Sequence, residues 1–273
     1  MSGGFLKEEG LDYEWSVAEP GKTAVESLVE GTAEVVQTAP SQSFGPLSRG
    51  ETTSWVHFAQ INEMDGFFIS GREADPDFTW KKLEGAEVLM FADGQPNAMF
   101  RYACHKAGIN YDQIKSITPG GASAIDSAFR DGQGEYIQQQ GPFPQQLHSE
   151  EIGYIVSQVG PWIGPNAFSS LAAKRDWLQT GEAKAFSRAY RKTRIYINEA
   201  PAAEIAGVEH QFFPDIDHAA LVDCISTYQK LGCWTPHPEI TREAFDVAQD
   251  VFMYFGSLND KIDYDKAVVL PPA

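Results

Sequence analysis

The residues best suited to hold a small molecule sit in three polar loops, each of which directly follows an apolar run. Val88-Leu89-Met90-Phe91 is uninterrupted, the pattern of a strand buried on both faces of a parallel sheet. It breaks at Ala92-Asp93-Gly94-Gln95-Pro96, where Asp93 can cap and Pro96 suits a first helical position, and helical spacing then runs until Gly108. A loop at the carboxyl end of a strand aims backbone N–H groups into the crevice of an open α/β sheet, so Asp93, Gly94, Gln95 and Asn97 read as one wall of a ligand site. The plainer reading is an ordinary connection between strand and helix. The strand Ala33 to Gln37 leads in the same way into Thr38 to Phe44, where Ser41 and Ser43 can each donate and accept hydrogen bonds or simply cap the next helix. Glu135 to Gln138 leads into the third loop, Gln139-Gln140-Gly141-Pro142-Phe143-Pro144.

Covalent and metal chemistry find little support. The histidines His57, His105, His148, His210, His218 and His237 are scattered, with no HExxH or HxH pair to build a metal site. There is no G-x-S-x-G elbow, and Gly94-Gln95-Pro96-Asn97 lacks the Lys-Ser/Thr of a phosphate loop. Cys104, Cys224 and Cys233 are odd in number and without CxxC spacing, which argues against a disulfide framework or structural zinc and for free, buried thiols. The sequence therefore predicts neither a catalytic residue, nor a metal, nor a cofactor.

The elements that must position these loops follow from the hydropathy pattern. Phe5 to Glu9 reads as a helix turn stopped at Gly10 and followed by a strand Leu11 to Trp15; Thr23 to Glu30 is a short amphipathic helix ended at Gly31. Trp55 to Ile61, Gly66 to Ser70, Ile114 to Ile117, Gly153 to Val159 and Ala167 to Ala173 read as further strands. The stretch Gly71 to Asp77 reads as a linker and Ala122 to Arg130 as a helix. From Lys174 onward the chain is helical: Ala183 to Asn198, Ala202 to Val208, His218 to Lys230 and Arg242 to Phe255. Repetition of strand, polar loop and helix predicts an α/β chain with a doubly wound, mostly parallel sheet in each of two lobes. Their expected limits are 1–76 plus 183–273 for lobe I and 77–182 for lobe II.

At 273 residues, 42% hydrophobic and 12% aromatic, the chain can bury a substantial core. Its net charge of -17 repels phosphate backbones and anionic bilayers, which sets nucleic acid aside as a partner. No apolar run approaches the roughly 18 residues of a membrane span, and MSGGFLKEEG has no basic segment followed by an apolar one. The expectation is a chain without membrane insertion, and with no export signal in the sequence as written.

The run Gly4-Phe5-Leu6-Lys7-Glu8-Glu9-Gly10-Leu11-Asp12, the segment Ala24 to Val36, Ala189-Tyr190-Arg191-Lys192, and Gly232-Cys233-Trp234 before Pro238-Glu239-Ile240-Thr241 carry a family resemblance in their order and spacing. The chain resembles substrate-binding proteins of ABC transporters, in the branch that serves sulfonates, taurine, nitrate and thiamine-pyrimidine precursors. The resemblance implies a two-lobed type II periplasmic-binding fold, a ligand clamped between lobes without chemistry, an ABC permease as partner, and a periplasmic or extracytoplasmic location. It places Pro40, Ser41, Gln42 and Ser43 of lobe I, and Asp93, Gly94, Gln95, Asn97, Gln140 and Gly141 of lobe II, around the ligand, with Trp162 as an aromatic wall. The family pattern opens with a strand and a ligand-contacting loop before the Gly-Phe-Leu-Lys-Glu helix, whereas only Met1-Ser2-Gly3 precede it here. Either the first strand of lobe I is missing or the chain begins further upstream. The alternative function is an enzyme on the same fold acting on a small heterocyclic or aromatic substrate, as in pyrimidine-precursor synthases; those carry a cysteine-rich motif that this chain lacks.

The three loops offer hydroxyls, amides and the Asp93 carboxylate but no arginine or lysine. An anion buried there would lack a cationic partner. The expected ligand is neutral or cationic and ring-containing, with Gln95, Asn97 and Gln140 on its polar edge and Trp162 on its face. If Asp93 turns away to cap its helix, an anion site built from backbone is the competing outcome.

Overall fold

The computed structural model describes residues 3–18 and 21–273. The strands are β1 (Val35–Thr38), β2 (Trp55–Asn62), β3 (Phe67–Gly71), β4 (Glu87–Leu89), β5 (Lys115–Ile117), β6 (Tyr136–Gln140), β7 (Tyr154–Gln158) and β8 (Ser169–Lys174). The helices are α1 (Phe5–Glu8), α2 (Ala24–Glu30), α3 (Phe44–Ser48), α4 (Gly94–Lys106), α5 (Ala122–Arg130), α6 (Phe143–Ser149), α7 (Gly160–Ile163), α8 (Gly181–Glu199), α9 (Ala202–Glu209), α10 (His218–Leu231), α11 (Arg242–Phe255) and α12 (Tyr264–Ala267). The chain divides into two compact units. Unit 1 holds the residues up to Glu63, Pro165–Ala200 and Trp234–Ala273; unit 2 holds Met64–Gly164 and Pro201–Cys233.

Unit 1 is built on a three-stranded sheet in the order β1-β8-β2. β2 is buried along almost its whole length because both faces are covered. On one face Val56, Phe58, Ala59 and Ala173 pack with Leu178 against Phe186 and Tyr190 of α8; on the other Trp55, Val36 and Ala172 pack with Leu28 of α2. The helix α2 starts where the sequence says it should. Thr23 accepts from the Glu26 N–H, Glu26 accepts from the Thr23 N–H at 2.5 Å, and Gly31 closes the helix at φ 77°. A third cluster joins Phe44 to Ala244, Phe245 and Ala248 of α11.

The hub of unit 1 is Arg194 on α8, fully buried with no carboxylate hydrogen-bonded to it among the described residues. Its Nε donates to Thr235 O at 2.6 Å, its Nη2 to Thr235 Oγ1 at 2.7 Å, and its Nη1 to Ile61 O. One guanidinium therefore ties together the segment that ends β2 and the segment that re-enters unit 1 after Cys233.

Unit 2 carries a five-stranded sheet in the order β5-β4-β6-β3-β7. β5, β4 and β6 run parallel, and β3 runs antiparallel to both β6 and β7. Leu89 and Ile137 stand opposite one another and pack on Ile125, Ala128 and Phe129 of α5 and on Leu147 of α6.

Several expectations are corrected here. The sheets are not mostly parallel: unit 1's is antiparallel throughout and unit 2's is mixed. β1 and β2 do point the same way, as a strand–helix–strand unit requires, but β8 returns from far along the chain and inserts between them. A run of buried apolar residues looks alike in either direction, so the pattern cannot report this. Leu11 to Trp15 forms no strand. Gly71 to Asp77 is not the crossing between units, because β3 is paired on both sides within unit 2 and the first crossing falls after Glu63. The third and fourth pieces also differ from the expected limits, since β8 and Pro165–Lys174 belong to unit 1, and α9 and α10 belong to unit 2. α10 packs on α6 there, and Tyr228 stacks on Phe68. Gln139 and Gln140 lie in β6 rather than in a loop.

Candidate functional site

In unit 2 the carboxyl ends of β4, β5 and β6 each lead into the start of a helix, which gathers three backbone N–H clusters along one edge of the sheet. At the end of β4, Asp93 is exposed and caps α4, its Oδ1 accepting from the Gly94 N–H at 2.7 Å. Gly94 has φ +74°, a left-handed conformation that suits glycine. Gln95 is half-buried beside it. Asn97 is buried, and its Nδ2 donates to Phe91 O at 2.8 Å and Tyr111 Oη at 2.9 Å. Both protons of that amide are engaged within the protein, which holds the loop's shape. Pro96 is the third helical residue rather than the first, and its carbonyl accepts from Gln138 Nε2 at 3.1 Å.

Trp162 on α7 is 39% exposed and stands 5.5 Å from the ring of Trp80, centroid to centroid. Trp80 in turn meets Phe100 of α4 at 5.9 Å, and its Nε1 donates to Ser157 Oγ at 2.9 Å. α4 and α7 are thus joined through aromatic contacts that run from Trp162 through Trp80 to Phe100. At the end of β6, Gln140 is half-buried; Gly141 precedes a cis peptide to Pro142 and is hemmed in, since a Cβ there would lie 2.5 Å from Cys224 Sγ and 2.9 Å from Tyr228 Oη. Gln139 points elsewhere, donating to Asp126 Oδ1 at 2.9 Å.

In unit 1, Pro40–Ser43 forms a 3-10 turn. Pro40 and Ser43 are buried, and Ser43 Oγ donates to Pro40 O at 2.6 Å, so this hydroxyl serves the turn itself. Gln42 is exposed and Ser41 half-buried. Phe44 anchors the turn by edge contacts to Phe245 and Phe252 at 5.6 Å and 5.5 Å. A cavity of about 480 Å³ lies further along this unit, lined by Leu47, Arg49, Asn259, Lys261, Ile262 and Lys266 among others; none of the expected site residues lines it.

Sequence reasoning missed Trp80, Tyr111 and Gln138, which fix the shape of the unit 2 edge. It also missed Thr118 to Gly121, exposed at the end of β5 and leading into α5 without a side-chain cap. The signal there was the glycine pair between strand and helix. All three thiols are buried and pushed up to about 12 by burial, which leaves them unreactive as nucleophiles near neutrality. Among the described residues no group of three His, Cys, Asp or Glu could hold a metal, and no helix is long and apolar enough to cross a membrane.

This architecture is the α/β type II periplasmic-binding fold, seen in solved structures that the chain matches at low identity. The periplasmic aliphatic sulphonate binding protein SsuA of Escherichia coli superposes with TM-score 0.66 at 16% identity over 90% of this chain and 79% of that one. The periplasmic nitrate-binding protein NrtA of Synechocystis superposes with TM-score 0.62 at 15% identity over 89% and 74%. The chain belongs to the NMT1/THI5 like family, whose model matches residues 1–204. A curated relative, "Putative binding protein YtlA" of Bacillus subtilis (strain 168), is 27% identical over 271 residues, covering 98% of this chain and 81% of that protein.

Proposed function

We propose that the protein is the solute-binding component of an ABC importer, acting outside the cytoplasm, and that it holds a small, neutral or cationic, ring-containing ligand without altering it. The observation that carries this reading is the open face of Trp162, 39% exposed, on α7, which packs against α4, the helix whose start carries the exposed Asp93 carboxylate; its Oδ1 caps Gly94 and its Oδ2 is offered to a ligand. A ring stacks on the indole at low entropic cost, and ring nitrogens or an amine find Asp93, Gln95 and Gln140 as polar partners. On unit 1, Ser41 and Gln42 are proposed as further ligand contacts, while Pro40 and Ser43 shape the turn that presents them. Asn97 and Gly141 contribute by fixing backbone, and Gly94 by offering its exposed backbone.

The named ligands of SsuA and NrtA are anions, and those proteins support the fold rather than the ligand here. The stretches Pro40–Ser43, Asp93–Asn97 and Gln140–Gly141 contain no arginine or lysine. Native mass spectrometry of the protein as purified tests the reading. A bound small molecule whose mass is unchanged after long incubation supports binding without chemistry; conversion to a product of different mass overturns it in favour of an enzyme.

A further inference from the structure

Inside unit 2 a carboxylate is buried without a counter-charge. Asp65 has no accessible surface; its Oδ1 accepts from the Phe67 N–H at 2.6 Å and its Oδ2 has no hydrogen-bond partner. Gly160 packs against the backbone of Asp65, because a Cβ at that glycine would stand 2.5 Å from the Asp65 carbonyl oxygen. The titratable groups that face Asp65 are Tyr228 and Cys233, with Cys224 behind them. Among the described residues no lysine, arginine or histidine contributes to its field.

These groups converge on one hydroxyl. Tyr228 Oη donates to Gly66 O at 2.8 Å, and its backbone carbonyl accepts from the Cys233 N–H at 3.0 Å where α10 ends. Gln145, 2% exposed and without a partner at either end of its amide, faces the same spot, as does Cys224 Sγ; a Cβ on Gly141 would meet both sulfur and amide. Asp65 lies just after the chain first enters unit 2, and Cys233 is the last residue before it leaves. The cluster therefore binds the entering segment of unit 2 to its leaving segment.

We propose that Asp65 is a proton-dependent clasp. When protonated, its carboxyl sits neutral against Tyr228 and the α10 turn and holds the two segments together. When it ionises by releasing its proton to solvent, a buried charge is left without a lysine, arginine or histidine to meet it, and the segment Tyr228 to Cys233 opens locally. Burial pushes the Asp65 carboxyl up to about 7, which places the change in the neutral range.

The test uses the whole chain and peptide-resolved alkylation by iodoacetamide. All three thiols are buried and pushed up to about 12, so dividing the Cys233 rate by the Cys104 rate cancels the shared dependence on thiolate. The ratio is expected to rise at least several-fold between about pH 6 and pH 8, and to stay flat in Asp65→Asn. A flat ratio in the natural sequence, or the same rise in Asp65→Asn, overturns the proposal. If Asp65→Asn does not fold, carbon-detected NMR of the natural protein decides: a titration midpoint near neutrality supports the clasp, and one in the ordinary carboxylate range overturns it.

Discussion

A buried side chain costs or contributes according to whether its polar atoms are met, and Arg194 and His57 show both sides of that rule. Replacing Arg194 by Met removes three hydrogen bonds and leaves Thr235 O and Ile61 O without their donor. We expect a loss of about 3 kcal/mol in urea unfolding. Arg188→Met removes a surface pair with Glu9 at 2.7 Å, a carboxylate that keeps Lys192 as a partner, and should leave stability nearly unchanged, which makes it the control. His57 is fully buried, with Nδ1 against Ser170 Oγ at 2.9 Å and Nε2 unpartnered, and burial lowers it to about 3. A depressed histidine contributes stability above its unfolded value near 6.5 and loses it as pH falls toward about 3, with a slope of up to about 1.4 kcal/mol per pH unit. Asp65 runs the other way: its contribution is complete below the unfolded value of 3.8 and is lost as pH rises through about 7. The two oppose one another between about pH 4 and 6.5, so unfolding of His57→Gln should show less acid destabilisation than the natural protein over that window. Equal slopes in both would contradict the assignment.

At the scale of elements, α7 is the piece whose placement matters most, because it carries Trp162. Gly160 packs its Cα against the Asp65 carbonyl, and Gly160→Ala has no room at 2.5 Å from backbone oxygen. We expect it to cost about 2 kcal/mol or more and to weaken ligand binding, by moving the indole off Trp80. Gly164→Ala, at φ +85° in open space, should cost about 1 kcal/mol and leave the indole in place; thermal melts and tryptophan fluorescence separate the two. Local periodicity made much of this scale legible. α5 and α11 have the limits their amphipathic spacing predicts, and the Thr23–Glu26 box marks α2. Strand direction was hidden, since β2 and β8 are buried on both faces and read alike either way. Leu11 to Trp15 alternates like a strand but has no ladder partner among the described residues, and propensity alone does not make a sheet. In the candidate site, the cap that Asp93 makes and the exposure of Trp162 follow from residue type and loop position. The hydrogen bond from Asn97 to Tyr111 was not legible, because Tyr111 comes from another loop and no spacing within the helix reveals it.

For the whole molecule, the net charge of -17 sets a field that draws cations and repels anions before any contact is made. A cationic ligand should therefore associate more slowly as salt is raised from about 0.01 M to 0.15 M, where the screening length falls from about 30 Å to 8 Å. A neutral ligand should show no such change in stopped-flow fluorescence. The four crossings between units fall in short connections between elements, which look in the sequence like any other loop, so their positions differ from the expected limits. The central claim, a ring-bearing neutral or cationic solute held against Trp162 and Asp93, is tested most directly by calorimetric titration with an aminopyrimidine and with an alkyl sulfonate. The account predicts saturable binding of the aminopyrimidine, weakened at least about tenfold, or 1.4 kcal/mol, in Trp162→Ala, and no measurable binding of the sulfonate. Tight sulfonate binding that survives Asp93→Ala unchanged would contradict it.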